Sequence, residues 1–295
     1  MIAMARYRAE RGCFDMRLGG SLAGKYKSAD EWIRDAIAIG YKAAVFPLQP
    51  GADRSETREY VAAMRENDIV NAEVGAWSNP LSPDAAERES AMRKNIAALE
   101  YAEETGALCC VNIAGARGAV WDGPHKDNLS EETFEMIVRN TQTIIDAVKP
   151  VKTKYSLETM PWIFPDSPEN YLRLAEAIGR GAFGVHLDLC NMINCPERYF
   201  GVAAFIDRSF DLLGAQTLSL HLKDIKLSDR LTVHLDETPP GQGAMDFAGI
   251  FRRASALGRD LPLIIEHLPD NGAYERAYRH LRGVAEAAGY GDKLI

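Results

Sequence analysis

Ionisable side chains recur inside four short apolar runs in the second half of the chain. KYSLET carries Glu158, and FGVHLDL carries His186 and Asp188. TLSLHLKD carries His221, Lys223 and Asp224, and LPLIIEHL carries Glu266 and His267. A carboxylate in an apolar segment is expensive to bury unless a cation or a hydrogen-bond donor meets it. Alternation along an extended strand puts His186 with Asp188 on one face, and His221 with Lys223 on one face. Brought to a common point, Glu158, Asp188, His221 and Glu266 would set three carboxylates around one imidazole, a charge of about -3 that calls for a divalent ion. The donor set is mostly oxygen, which favours one Mn²⁺, Mg²⁺ or Co²⁺, with Mn²⁺ preferred and Zn²⁺ an alternative.

The remaining candidates surround that point. His186 lies one layer below Asp188, as a donor that orients the carboxylate or as packed core. Lys223 lies one layer above His221, where it pairs with a carboxylate, polarises a substrate oxygen, or reaches solvent as a loop lysine. Asn191 and Asn112 follow apolar runs and suit hydroxyl binding, although asparagine is also common in turns. Trp77, Trp121 and Trp162 fall just past such runs, placed to stack on a substrate ring or to pack as a lid. His267 alternates away from Glu266 and is expected to pack between strand and helix. His125 and His234 fall in loops.

Positioning these groups requires a repeating scaffold. Eight candidate strands, at 12–16, 42–47, 69–75, 108–113, 154–159, 183–189, 217–223 and 261–267, alternate with segments of helical apolar spacing such as SADEWIRDAIAIG. Ser28, Ser55, Ser82 and Ser130 precede helical patterns as N-caps. Gly40, Gly106, Gly179 and Gly258 follow them, where a left-handed turn ends a helix. Strands separated by helices pair in parallel through right-handed crossovers. Eight such repeats close into a (β/α)8 TIM barrel spanning residues 1–295 as one domain, with the active site at the C-terminal ends of the strands. The rival, an open doubly wound sheet, would carry a glycine-rich phosphate loop after its first strand. RLGGSLAGKYKS does not supply one.

Composition narrows the function. The chain has 295 residues, 34 Lys+Arg against 42 Asp+Glu, and a net charge of -8. That balance argues against a surface built for nucleic-acid phosphates. Five cysteines, Cys13, Cys109, Cys110, Cys190 and Cys195, form no C-x-x-C pair and read as reduced thiols of a cytoplasmic protein. No stretch approaches the ~18 apolar residues of a membrane span, and MIAMARYRAERG lacks a signal-peptide core. The expected partner is a small molecule, with a homo-oligomer as an option and neither nucleic acid nor membrane involved.

The pieces SLETMPW, VHLDLCNMIN, LSLHLKD, PPGQGAMDF and IIEH together resemble the xylose isomerase-like TIM-barrel superfamily, particularly its sugar phosphate isomerase/epimerase and ketose 3-epimerase branch. The resemblance implies that Glu158, Asp188, His221 and Glu266 are the metal ligands, and that PPGQGAMDF is the loop ahead of the last helix–strand unit. Two positions depart from the ketose 3-epimerase pattern. Asn191 stands where a histidine is usual, and Lys223 and Lys226 are the near cations where an arginine is usual. The activity so implied is a metal-dependent sugar isomerase or epimerase, with Glu158 and Glu266 exchanging a proton beside a carbonyl through an enediolate. Alternatives on the same scaffold are an inosose-dehydratase-like or 3-oxo-glycoside-cleaving lyase, an endonuclease IV-type nuclease, and a non-catalytic sugar-binding barrel. The nuclease would need a histidine-rich multi-zinc site, and only two of the six histidines fall near strand ends.

Overall fold

The computed structural model describes residues 16–295. The chain alternates strand and helix through β1 (Met16–Gly20), α1 (Ala29–Ile39), β2 (Ala43–Val45), α2 (Arg54–Glu66), β3 (Val70–Gly75) and α3 (Ala85–Thr105). It continues through β4 (Cys109–Asn112), α4 (Glu131–Val148), β5 (Lys154–Leu157), α5 (Pro168–Ile178) and β6 (Phe183–Asp188). Two helices, α6 (Pro196–Phe200) and α7 (Val202–Leu213), lead to β7 (Thr217–Leu222) and then to a hairpin of β8 (Asp224–Leu227) and β9 (Leu235–Thr238). The last unit is α8 (Phe247–Ser255), β10 (Leu261–Ile265) and α9 (Asn271–Ala287). Eight strands close in the order β1-β10-β7-β6-β5-β4-β3-β2, every pair parallel. This is the expected TIM barrel.

Alternation explains where the core sits. Val185 and Leu187 on β6, Leu220 and Leu222 on β7, and Leu263 and Ile265 on β10 belong to one large apolar core shared with the helices. Their alternates His186, Asp188, Ser219, His221 and Ile264 take the other face and point into the barrel. Helices supply the matching stripe: Ala29, Trp32, Ile33 and Ala36 of α1 are buried at helical spacing. Close strand approach also constrains the sequence. A Cβ on Gly19 would lie 1.6 Å from the Ala43 carbonyl oxygen, so β1 can meet β2 only through glycine.

The boundaries differ from the sequence expectations in instructive ways. Residues 12–15 of the first expected strand lie outside the described residues, as does Cys13, and β1 instead runs into the RLGG read as loop. Ser28 and Ser130 cap α1 and α4 through the amides of Glu31 and Thr133. Ser55 and Ser82 cap nothing: Asp53 caps α2 through the Ser55 and Glu56 amides, and Asp84 caps α3 through Glu87. In each case an aspartate within two residues competes for the same free N–H groups and takes them. Gly40, Gly106 and Gly179 are left-handed C-caps. Gly258, though left-handed, lies beyond Ala256, the C-cap of α8. Among the described cysteines all are free; Cys109, Cys110 and Cys190 are buried, and burial pushes the Cys109 thiol up to about 12.

The β8–β9 hairpin is absent from the sequence expectations. It departs from β7 after the single residue Lys223, and Asp224 anchors it. The buried Asp224 carboxylate accepts from the amides of Ile225, Gly241, Gly243 and Met245 at 2.8–2.9 Å. It thereby ties the PPGQGAM loop to the barrel. Gly243 is required there, because a Cβ would lie 2.3 Å from Asp224 Oδ1. Asp224→Ala strands four backbone donors and is expected to cost about 3 kcal/mol, a fall in melting temperature of roughly 6–12 °C. Thermal denaturation by circular dichroism checks this, and a variant melting with wild type would remove the anchor role.

Candidate active site

Register brings the ionisable groups together. Asp188 on β6 pairs directly with His221 on β7, and His221 with Ile264 on β10, two residues before Glu266. Glu158 follows the last residue of β5, and its amide still donates to the Asn112 carbonyl on β4. One ligand atom from each of Glu158, Asp188, His221 and Glu266 lies within 4.8 Å of the others. His221 Nδ1 is 2.8 Å from Glu266 Oε1, 3.4 Å from Glu158 Oε1 and 3.7 Å from Asp188 Oδ2. These four groups could hold a cation. The fit is supported by Asp188 Oδ2, His221 Nδ1 and Glu266 Oε1, three buried atoms that have close charged neighbours but no hydrogen bond of acceptable geometry.

A fourth carboxylate, not foreseen from sequence, lies beneath. Glu73 on β3 is 1% exposed in the barrel interior. Its Oε1 accepts from Ser219 Oγ at 2.8 Å and meets His186 Nε2 at 3.0 Å, and its Oε2 meets His221 Nε2 at 3.2 Å. Burial opposes the charge on Glu73, but His186 and His221 overcome it and hold the carboxyl well below its usual range. Glu73 therefore fixes the back nitrogen of His221 and leaves Nδ1 facing the cluster, the arrangement by which an outer carboxylate orients a metal-ligating imidazole. The signal was present in NAEVG, a carboxylate inside an apolar strand.

His186 supports Glu73, not Asp188: it is fully buried and lines neither cavity described below. Asn112 is likewise spoken for, its amide bonded to the Ser78 N–H and carbonyl, which steadies the turn carrying Trp77.

Lys223 is neither at the mouth nor on the surface. It is 2% exposed, with Nζ 2.7 Å from Asp188 Oδ2, 2.5 Å from Glu266 Oε1 and 3.6 Å from Glu158 Oε1. Burial works against its charge, yet Asp188, Glu266, Glu158 and Glu237 hold its pKa well above the lysine range. Against burial, His221 and Lys223 bring the Glu266 carboxyl down to about 2, and Lys223 and His221 depress Asp188 further still. Lys223 thus competes with an incoming ion for the same two oxygens.

His267 also departs from expectation. The strand ends at Ile265, and His267 adopts φ 58°, which breaks the alternation and turns the ring toward the cavity. Its Nδ1 lies 3.0 Å from Glu237 Oε1 on β9 and 3.4 Å from Lys223 Nζ.

A cavity of about 340 Å³ opens over the cluster, lined by Trp77, Trp121, Glu158, Asn191, Glu266 and His267 among others. Asn191 Nδ2 donates to Glu158 Oε1 at 3.1 Å. Trp162 lies apart from these, on a neighbouring cavity of about 370 Å³ that also touches Asn191.

Residues 33–284 match the model of the xylose isomerase-like TIM barrel family, and the chain belongs to that family. No curated protein matches the chain by sequence. Among solved structures it is similar to the 3-keto-D-glucoside 4-epimerase YcjR of E. coli, with TM-score 0.67 and 16% identity over 91% of this chain and 99% of that one. It is also similar to an L-ribulose 3-epimerase, with TM-score 0.68 and 17% identity over 93% and 96%. A third is a xylose isomerase-like TIM barrel protein from Mycobacterium smegmatis in complex with magnesium, with TM-score 0.66 and 13% identity over 93% and 97%. Among the described residues, no helix is long and apolar enough to cross a membrane.

Burial opposes a charged His221, but Glu266, Glu73 and Glu158 raise its pKa well above the usual value, which favours a proton on the ring in the metal-free protein. An ion bound at Nδ1 has to displace that proton. Mn²⁺ affinity is accordingly expected to rise with pH, by up to about tenfold per pH unit while the ring stays protonated, with proton release seen by titration calorimetry in buffers of different ionisation enthalpy. Affinity independent of pH would exclude Nδ1 as a ligand.

Proposed function

We propose that the protein is a divalent-metal-dependent isomerase or epimerase of a monosaccharide or keto-sugar derivative. One observation carries the reading. Glu158 and Glu266 border the same cavity from non-adjacent strands, whereas Asp188 and His221 of the same cluster are withdrawn beneath it. Two carboxylates facing one substrate space suit a reaction that takes a proton from one place and returns it to another.

Glu158, Asp188, His221 and Glu266 would hold the ion, with Mn²⁺ preferred by the oxygen-rich donor set. The ion would supply Lewis acidity, polarising a substrate carbonyl and stabilising the negative charge left when the neighbouring carbon loses its proton. One glutamate, in its ionised form, removes that proton, and the other, carrying a proton taken from solvent, delivers it from the opposite side. Delivery to the same carbon epimerises it; delivery to the carbon of the former carbonyl, with the hydroxyl proton passing to the former carbonyl oxygen, isomerises the sugar. The Asn191 amide holds Glu158 in place through its 3.1 Å hydrogen bond. Trp77 and Trp121 wall the cavity, shield it from water and offer ring faces to the C–H side of a sugar. The buried free thiols suit a reducing cytoplasm. Two similar structures carry epimerase names, which supports this reading over the nuclease and binding-protein alternatives.

Incubating the Mn²⁺-loaded protein in D₂O with a panel of keto-sugars tests the reaction class. Deuterium entering beside the carbonyl, with mass otherwise conserved, is the expected NMR result. An enone or a released aglycone would identify a lyase instead. Glu158→Gln is expected to lower exchange by at least ~10²-fold, the scale of a lost general base. Exchange at the wild-type rate in that variant would remove Glu158 from the mechanism.

A further inference from the structure

The substrate space does not end at the ion cluster. Beyond Asn191 the cavity of about 370 Å³ runs between the β5 and β6 loops and the β8–β9 hairpin, walled by Trp162, Ile193, Ile225, Val233 and Leu235. Asn191 lines both cavities, so an occupant of the second lies one residue away from Glu158.

The second cavity offers a sugar few uncommitted donors. Each buried hydroxyl needs a partner or costs free energy. The side-chain donors of this wall are already engaged. Asn191 Nδ2 donates to Glu158 and the Thr159 carbonyl, and Asn194 Nδ2 to the Pro161 carbonyl. Both Glu237 oxygens meet His267 Nδ1. Trp162 spends its Nε1–H on the Asp122 carbonyl at 2.8 Å, which pins the ring while 41% of the residue stays exposed. Val233, at the hairpin, is 49% exposed. A fixed aromatic face opposite aliphatic side chains suits an apolar ring.

We propose that this cavity is an aglycone subsite: the sugar that reacts at Glu158 and Glu266 carries an aromatic or similarly apolar substituent, which seats against Trp162, Ile193, Val233 and Leu235. The inference rests on the sugar-isomerase reading of the adjoining site. Size favours a small-molecule moiety over a protein partner, because the volume is within the roughly 300–1,000 Å³ of ligand sites. Continuity through Asn191 ties that moiety to the reacting sugar.

Titration calorimetry on the Mn²⁺-loaded protein with phenyl β-D-glucopyranoside and methyl β-D-glucopyranoside tests the subsite without requiring turnover. The phenyl glycoside is expected to bind at least ~10-fold more tightly, the scale of burying one aromatic ring. Trp162→Ala and Val233→Asp should each reduce that preference to less than ~3-fold while leaving methyl glycoside affinity within ~2-fold; Val233→Asp, at an exposed hairpin position, guards against misfolding of the tryptophan variant. Equal affinities in the wild type, no binding of either probe, or an unchanged preference in both variants would overturn the subsite. A dimer that disperses in Val233→Asp without any aryl preference would assign the apolar wall to a second copy and overturn it too. The two readings fail separately: aryl preference without deuterium exchange in any keto-sugar removes the isomerase, and exchange without aryl preference removes the subsite.

Discussion

The structure depends on solving one electrostatic problem: four carboxylates, Glu73, Glu158, Asp188 and Glu266, are gathered within and at the mouth of one barrel. Uncompensated, such charges would drive the strands apart or take up protons. Here they are met by an ordered stack of donors. Ser219, His186 and the back of His221 satisfy Glu73, and the front of His221 and Lys223 face the other three. Lys223, and His221 when it carries a proton, offset at most two of the four charges, so the upper layer stays electron-rich and receptive to a cation.

This arrangement separates support from reactivity by depth. The lower layer, Glu73 with His186 and Ser219, is sealed, with both Glu73 oxygens bonded and His186 Nδ1 left without a partner, and it can only orient. The upper layer keeps atoms without hydrogen bonds, and its two glutamates reach the cavity. A carboxylate that must both bind an ion and move a proton needs such a boundary position, because full burial would forbid contact with substrate and full exposure would waste its field in water. The barrel provides that boundary wherever a strand ends, which is why Glu158 and Glu266 stand one residue past β5 and β10.

The hairpin adds a second constraint on the same site. Asp224, immediately after Lys223, fastens the PPGQGAM loop through four backbone amides, and Glu237 on the returning strand meets His267. The walls of the substrate space are therefore tied to the same stretch of chain that supplies His221 and Lys223. Asn112 and Asn79 do comparable work on the opposite side. Asn112 grips Ser78, and Asn79 bridges to Ala116 on the next loop, so Trp77 and Trp121 are carried by mutually braced turns. Gly115 permits that bridge, since a Cβ there would lie 2.1 Å from Asn79 Oδ1.

Sequence alone determined the alternation of strands and helices, the barrel it closes into, and the meeting of Glu158, Asp188, His221 and Glu266, because a period of two and a charge placed in an apolar strand are local signals. Only the tertiary structure decided the rest. Glu73 comes from β3, more than a hundred residues from its histidines, and no local pattern could pair them. Lys223 is buried because three carboxylates from other strands surround it, and His267 faces the cavity because a left-handed residue breaks the alternation just where the strand ends. The hairpin, too, is held by amides from a loop 17 to 21 residues ahead of Asp224. Contacts between distant segments follow from how the barrel closes, and closure is a property of the whole chain.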